Sequence, residues 1–103
     1  MTRVELAPAA ITELTTAVEH YEAERPGRGL RLAAAVERSL KLISGLPKAG
    51  SPYRHVRTES DVRRLVVRGF PFVLAYRVLE DRIRIDAVMH MHRRPGYWHS
   101  RLR

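Results

Sequence analysis

The feature that most constrains this chain is a change of hydrophobic period near its middle. Up to about residue 46 apolar residues recur every three or four positions; from about residue 62 they alternate. A period of 3.6 gives a helix one apolar stripe, and a period of two gives a strand one apolar face. A chain carrying both must lay helices on a sheet. In the first half Ile11, Leu14, Val18 and Tyr21 form one stripe opposite Glu13, Glu19 and Glu22. Pro8 suits the first position of that helix, where its missing N–H costs nothing, and Arg25-Pro26-Gly27 ends it. A second helix is predicted over Gly29–Ser44 on Leu32, Val36, Leu40 and Ile43, widened by Leu30, Ala33 and Ala34 and stopped by Gly45-Leu46-Pro47. The two make a helical hairpin.

Thr2–Leu6 alternates and predicts a short first strand, and Lys48–Pro52 a loop. Val62–Arg68, Phe72–Leu79 and Arg82–His90 predict a meander, with Gly69-Phe70-Pro71 and Glu80-Asp81 at its corners and His55–Thr58 a candidate edge segment. The expectation is an α+β fold: an N-terminal strand, then a helical hairpin packed on one face of a twisted antiparallel sheet, in a single domain over residues 1–103. Leu14, Val18, Leu32, Val36, Leu40, Leu65, Leu74, Ile83 and Ile85 are expected in the core. Strict alternation places Ile83, Ile85, Ala87 and Met89 on one face of the last strand. The opposite face of the sheet would then gather Arg64, Arg68, Arg77, Arg84, His90 and His92.

Of the net charge of +8, nearly all lies in the second half: residues 1–52 carry seven Lys/Arg against six Asp/Glu, residues 53–103 twelve against five. Only Lys41 and Lys48 are lysines, and arginine presents a planar fork suited to phosphate or carboxylate. An asymmetry of this kind points to an anionic partner, either nucleic acid or an acidic protein. With no cysteine, disulfides, thiolate metal sites and cysteine nucleophiles are excluded. Met1–Glu5 has no apolar signal-peptide run, and no stretch approaches the ~20 residues of a membrane span, so a cytoplasmic protein with no membrane partner is expected.

The order of elements, Leu40–Pro52 with its Leu-x-Pro and following Gly, the strand Phe70-Pro71-Phe72-Val73-Leu74-Ala75-Tyr76-Arg77-Val78 and the ending Ile85–Trp98 together resemble the RelE/ParE toxin superfamily over nearly the whole chain. That resemblance implies the toxin of a type II toxin–antitoxin pair, neutralised by a cognate antitoxin. RelE-like members cut mRNA in the ribosome and ParE-like members poison DNA gyrase. In the ribonuclease branch Arg64, Arg93 and Tyr97 would be the matching catalytic positions. Val66 and Val73 stand where that branch has basic residues, which leaves phosphate charge unmatched. The Phe-Pro-Phe corner is closer to the ParE-like side, so a gyrase-binding, non-catalytic protein is the favoured reading. A ribosome-dependent endoribonuclease is the alternative, and a degenerate member that binds its antitoxin and DNA region without toxicity is a third.

On this reading Arg64, Arg68, Arg93 and Arg94 supply charge to a target-binding surface, with Tyr97 or Trp98 as aromatic anchor; the alternative for Trp98, the chain's one tryptophan, is to close the end of the core. Leu30, Leu42, Leu46 and Leu79 fall outside the core stripes and are candidate antitoxin contacts. His90 and His92 share a face by alternation but lack a third ligand, so no metal site and no cofactor is expected.

Overall fold

The structure, a computed structural model, describes residues 1–103. Strand β1 (Val4–Leu6) leads into α1 (Pro8–Glu24), and α2 (Arg28–Gly45) follows after one tight turn. A 3₁₀ turn (Pro47–Ala49) precedes β2 (Ser51–Pro52), and β3 (Asp61–Val66), β4 (Phe72–Val78) and β5 (Ile83–His90) form the meander before a 3₁₀ turn at His99–Leu102. The five strands make one sheet in the order β1-β5-β4-β3-β2. The α+β architecture is as the sequence predicts, with two differences. β1 runs parallel to β5 and adds a parallel pair to an otherwise antiparallel sheet. The edge segment is Ser51–Pro52, paired with Arg64 and Arg63, and His55–Thr58 belongs to a loop. Proline fits there, because β2 is an edge strand.

The helix-facing core holds Leu32, Val36, Ile43, Leu74, Tyr76, Ile83 and Ile85, all essentially inaccessible. Leu14, Val18, Leu40 and Leu65, also expected inside, are half-buried at its margin. The helices meet closely at Gly29: a Cβ there would collide with the Val18 carbonyl oxygen. The Glu22 carboxylate of α1 accepts from the Gly27 N–H at 2.8 Å and the Gly29 N–H at 3.0 Å, capping two otherwise unpaired donors at the start of α2. At the other end of α2, Ser44 exchanges hydrogen bonds with Thr2, fastening the chain start to the hairpin.

Strict alternation fails on β5. Tyr76 pairs with Ile85 while its neighbour Ala75 pairs with Ala87, so Asp86 is an extra residue. This β-bulge reverses the parity of everything after it. Ile83 and Ile85 face the helices, but so do Val88 and His90, whereas Ala87 and Met89 turn to the opposite face. That face is therefore no bare cationic surface. Val62, Val73, Ala75, Ala87 and Met89 form a second apolar cluster on it, closed by Trp98 at 2% exposure. His90 leaves the expected basic set and packs edge-on to Phe72, with ring centroids 5.4 Å apart. Arg64, Arg77 and Arg84 stay, and Arg68 lies beyond the end of β3. No helix is long and apolar enough to cross a membrane.

Two stability measurements follow from this arrangement. Leu32→Ala, at a fully buried position, costs about 2–5 kcal/mol in urea unfolding, and Leu40→Ala, at the margin, costs clearly less; equal costs would contradict the burial order. The Gly27 and Gly29 amides hold the Glu22 carboxyl below its ordinary value of 4.5. Its contribution is present above that value and lost as pH falls through the lower folded-state value, so Glu22→Gln flattens the acid side of the stability profile.

Candidate functional site

The ends of the chain meet along β5. Strand β1 covers only Ile83–Ile85 of the eight-residue β5. The backbone groups beyond it need other partners. The Glu13 carboxylate of α1 accepts from the Val88 N–H at 3.1 Å, and Arg101 donates to the Asp86 carbonyl oxygen at 3.1 Å. Arg101 and Glu13 also pair directly, Nη1 to Oε1 at 2.9 Å and Nη2 to Oε2 at 3.3 Å. The Tyr97 hydroxyl donates to Glu13 at 2.6 Å, and the Arg93 guanidinium lies over the Tyr97 ring, 4.2 Å from its centroid. Burial, then the bond to Glu13, pushes the Tyr97 hydroxyl far above its ordinary pKa. A phenol so held is a poor proton acceptor at neutral pH.

Beneath this segment, the buried Asp86 takes a bidentate pair from Arg77, both bonds 2.8 Å. Glu5 accepts from Arg82 at 2.9 Å and Arg84 at 2.7 Å, which lowers its pKa. Arg63 pairs with Asp61 and donates to the Gly50 carbonyl at 2.8 Å. Arg64 differs from all of these, having neither a carboxylate nor a hydrogen-bond acceptor. Its guanidinium lies 5.6 Å from the centroid of the Tyr53 ring and lines an open hollow of about 590 Å³ with His55, Pro95, Gly96 and His99.

A second concavity lies on the other side of the sheet. β2 pairs only with Arg63 and Arg64, so β3 is unaccompanied beyond them. There Leu65, Val66 and Arg68 face Ala35, Arg38, Ser39 and Leu42 of α2 across a groove of about 420 Å³. Leu42 and Val66 are about half exposed, at 49% and 56%.

The sequence-selected residues thus separate into groups. Arg64 opens onto the hollow below Pro95-Gly96, whereas Arg93 lines a different one with Glu13, His20 and His90, so the catalytic trio of the ribonuclease reading does not converge on one cavity. Arg94 is exposed in the same C-terminal loop, and Arg68 belongs to the α2–β3 groove. Of the two readings of Trp98, partner anchor or closure of the core, its burial agrees with the second: Tyr53, with ring centroids 5.2 Å away, and the bulged β5 surround it. Tyr97 is half-buried, its hydroxyl held by Glu13. Of the four leucines, Leu42 lines the groove and Leu46 is exposed at the end of the same helix. Leu30 is exposed on the first turn of α2, and Leu79 is half-buried beside the β4–β5 turn. Sequence reasoning missed Glu13, which looked like an ordinary solvent-facing carboxylate of an amphipathic helix. It also missed the hollow, whose members come from three separate segments. The rings of His90 and His92 lie 5.2 Å apart, and no group of three potential ligands surrounds them.

Comparison with known proteins places these surfaces in context. The family described as the ParE toxin of the type II toxin–antitoxin system parDE matches residues 4–95. Among solved structures, the chromosomal ParDE toxin–antitoxin system from P. aeruginosa superposes with a TM-score of 0.72 at 21% identity, covering 87% of this chain and 96% of that one. No curated protein sequence shows significant similarity.

The Glu13 cluster generates a direct test. Glu13→Ala leaves the Val88 N–H and the Arg101 guanidinium without their acceptor, at a cost of about 2–4 kcal/mol. Hydrogen exchange should then speed up at Val88 and along residues 97–103 while the α2 amides keep their protection. Unchanged exchange in the C-terminal segment would show that Glu13 does not hold it.

Proposed function

Since the chain belongs to the ParE toxin family of type II toxin–antitoxin systems, we propose that it arrests growth by binding DNA gyrase in the cytoplasm and that a cognate antitoxin silences it. The observation that carries the gyrase reading over the ribonuclease reading is the placement of Arg64, Arg93 and Tyr97. Two open onto different hollows and the third is a hydroxyl locked to Glu13 with its pKa raised. Phosphodiester scission needs a proton acceptor, a proton donor and charge stabilisation around a single phosphate. Val66 and Val73 add no charge to that surface. Binding to a large enzyme asks less, only a complementary patch, and the exposed Arg64, Arg93 and Arg94 supply one.

The antitoxin is assigned to the α2–β3 groove. Leu42 and Leu46 give it apolar contacts, Arg38 and Arg68 favour acidic side chains, and the unaccompanied end of β3 offers main-chain groups. Leu30 is exposed on the first turn of the same helix, away from the groove, and Leu79 is peripheral to it. A stable complex should bury on the order of 1,500 Å² or more.

Induction in growing cells with two readouts tests the proposal. Gyrase-dependent supercoiling should fall while mRNA half-life stays unchanged. In vitro, Arg64→Ala, Arg93→Ala and Arg94→Ala should each weaken inhibition in a graded, salt-sensitive way. Codon-dependent cleavage of ribosome-bound mRNA, abolished by Arg93→Ala, would replace this reading with the ribonuclease one. Leu42→Asp should release the antitoxin and leave inhibition of supercoiling intact.

A further inference from the structure

Three of the five histidines, His20, His90 and His92, gather where α1 passes the end of β5. His90 is there because of the bulge: with its parity reversed, the ring turns toward the helices and packs on Phe72. The chain leaves the sheet at this residue, and the next three amides each have an acceptor. Met91 N–H donates to the Pro71 carbonyl at 2.9 Å, Arg93 N–H to the His90 carbonyl at 3.0 Å, and His92 N–H to His90 Nδ1 at 3.1 Å. Only the last of these acceptors can take up a proton near neutral pH.

A neutral imidazole has one N–H and one bare nitrogen. Because Nδ1 accepts from the chain, the hydrogen of neutral His90 sits on Nε2, and a second proton has no place but Nδ1. The His92 N–H would then face another N–H, so the closed turn and a charged ring exclude each other. The surroundings offer that charge nothing in exchange. The groups facing it are Glu13 and His20 from α1, the uncharged Phe72 from β4, and Arg93 from the C-terminal loop, with the His92 ring 5.2 Å away. Glu13, the one carboxylate among them, is held by Arg101, Tyr97 and the Val88 N–H, and His20 already has Glu24 at 3.7 Å.

We propose that His90 is a proton-operated latch on the turn at residues 91–94. Neutral, its ring holds the turn closed; protonated, it lets go of the His92 amide and frees the segment that carries Arg93 and Arg94. The sign follows from the bond: the closed turn is the high-pH form and the open turn the low-pH form. The α2–β3 groove has no histidine among its lining residues, so acid disperses one surface of the molecule and spares the other. The latch is independent of which target that loop meets.

Amide and imidazole NMR of the full chain between about pH 8 and about pH 5 tests it. At the upper end neutral His90 should be the Nε2–H tautomer, and the His92 N–H should show the small temperature coefficient of a bonded amide. On acidification that coefficient should rise to the value of a free amide and the heteronuclear NOE of residues 92–94 should fall, both with the midpoint of the His90 ring. The Leu42, Leu65 and Val66 amides should not follow. His90→Asn, with an acceptor oxygen that takes no proton, should hold the turn closed throughout. His90→Phe, which keeps a ring on Phe72 and has no acceptor, should leave it open throughout. His99 shares a bond with the Tyr53 hydroxyl and titrates as well, so it serves as a control: His20→Asn, His92→Asn and His99→Asn should each keep the wild-type response. A neutral His90 with its hydrogen on Nδ1, a turn that stays closed at low pH, a response that survives in His90→Asn, or one lost with His20, His92 or His99 would each overturn the proposal. If His90→Phe does not fold, the tautomer and the His90→Asn titration decide by themselves.

Discussion

The fold depends on a mismatch of length. Three residues of β1 lie beside eight of β5, and the backbone left over must be satisfied without a strand. One carboxylate does most of that work. Glu13 reaches from a helix to the Val88 N–H and simultaneously holds Tyr97 and Arg101, while Arg101 reaches back to the Asp86 carbonyl. An open sheet edge is thereby closed by side chains, and the last seven residues become a wall of the second core. Trp98 can be buried only because its neighbours on both sides are fastened in this way. The hollow beside Arg64 exists only because that wall stands.

Much of the architecture was legible because each half of the chain repeats its own period without interruption. Pro8, the Arg25-Pro26-Gly27 break and the Gly69-Phe70-Pro71 corner marked element ends to within a few residues. The faces of β5 were legible only as far as Ile85. A bulge leaves no trace in an alternating pattern when both continuations are apolar, and Ala87-Val88-Met89 reads equally well in either parity. The same ambiguity left Trp98 open between anchor and core, because a second cluster on the far face has no source of apolar side chains until Ala87 and Met89 turn toward it. Residues that act through long-range pairing were opaque for a different reason. Glu13 and Tyr97 are 84 positions apart, and no local spacing connects them. The family resemblance, by contrast, rested on the order of several motifs, which local parity errors do not disturb.

The cationic character of the second half also changes meaning once partners are assigned. Arg77 and Arg101 are structural, spent on Asp86 and Glu13, while Arg63, Arg82 and Arg84 are neutralised at the sheet margins. Pairing removes equal numbers of both signs and leaves the net charge as it is; what it decides is where cations stand free, and in the second half those without a carboxylate are Arg54, Arg57, Arg64, Arg68, Arg93, Arg94 and Arg103. Surface pairs such as Lys41–Glu37 contribute little to either stability or recognition.

Joining the first strand to the last has a consequence for synthesis. β1 finds its neighbour only when β5 has been made, and Glu13 finds its partners only when Tyr97 and Arg101 have left the ribosome. The helical hairpin can form early, because its contacts are local, but the sheet edge and the second core must wait for residues 97–102. An emerging chain thus displays α2 before it possesses a finished C-terminal surface. A partner that recognises α2 can engage the protein while its second core is still unfinished.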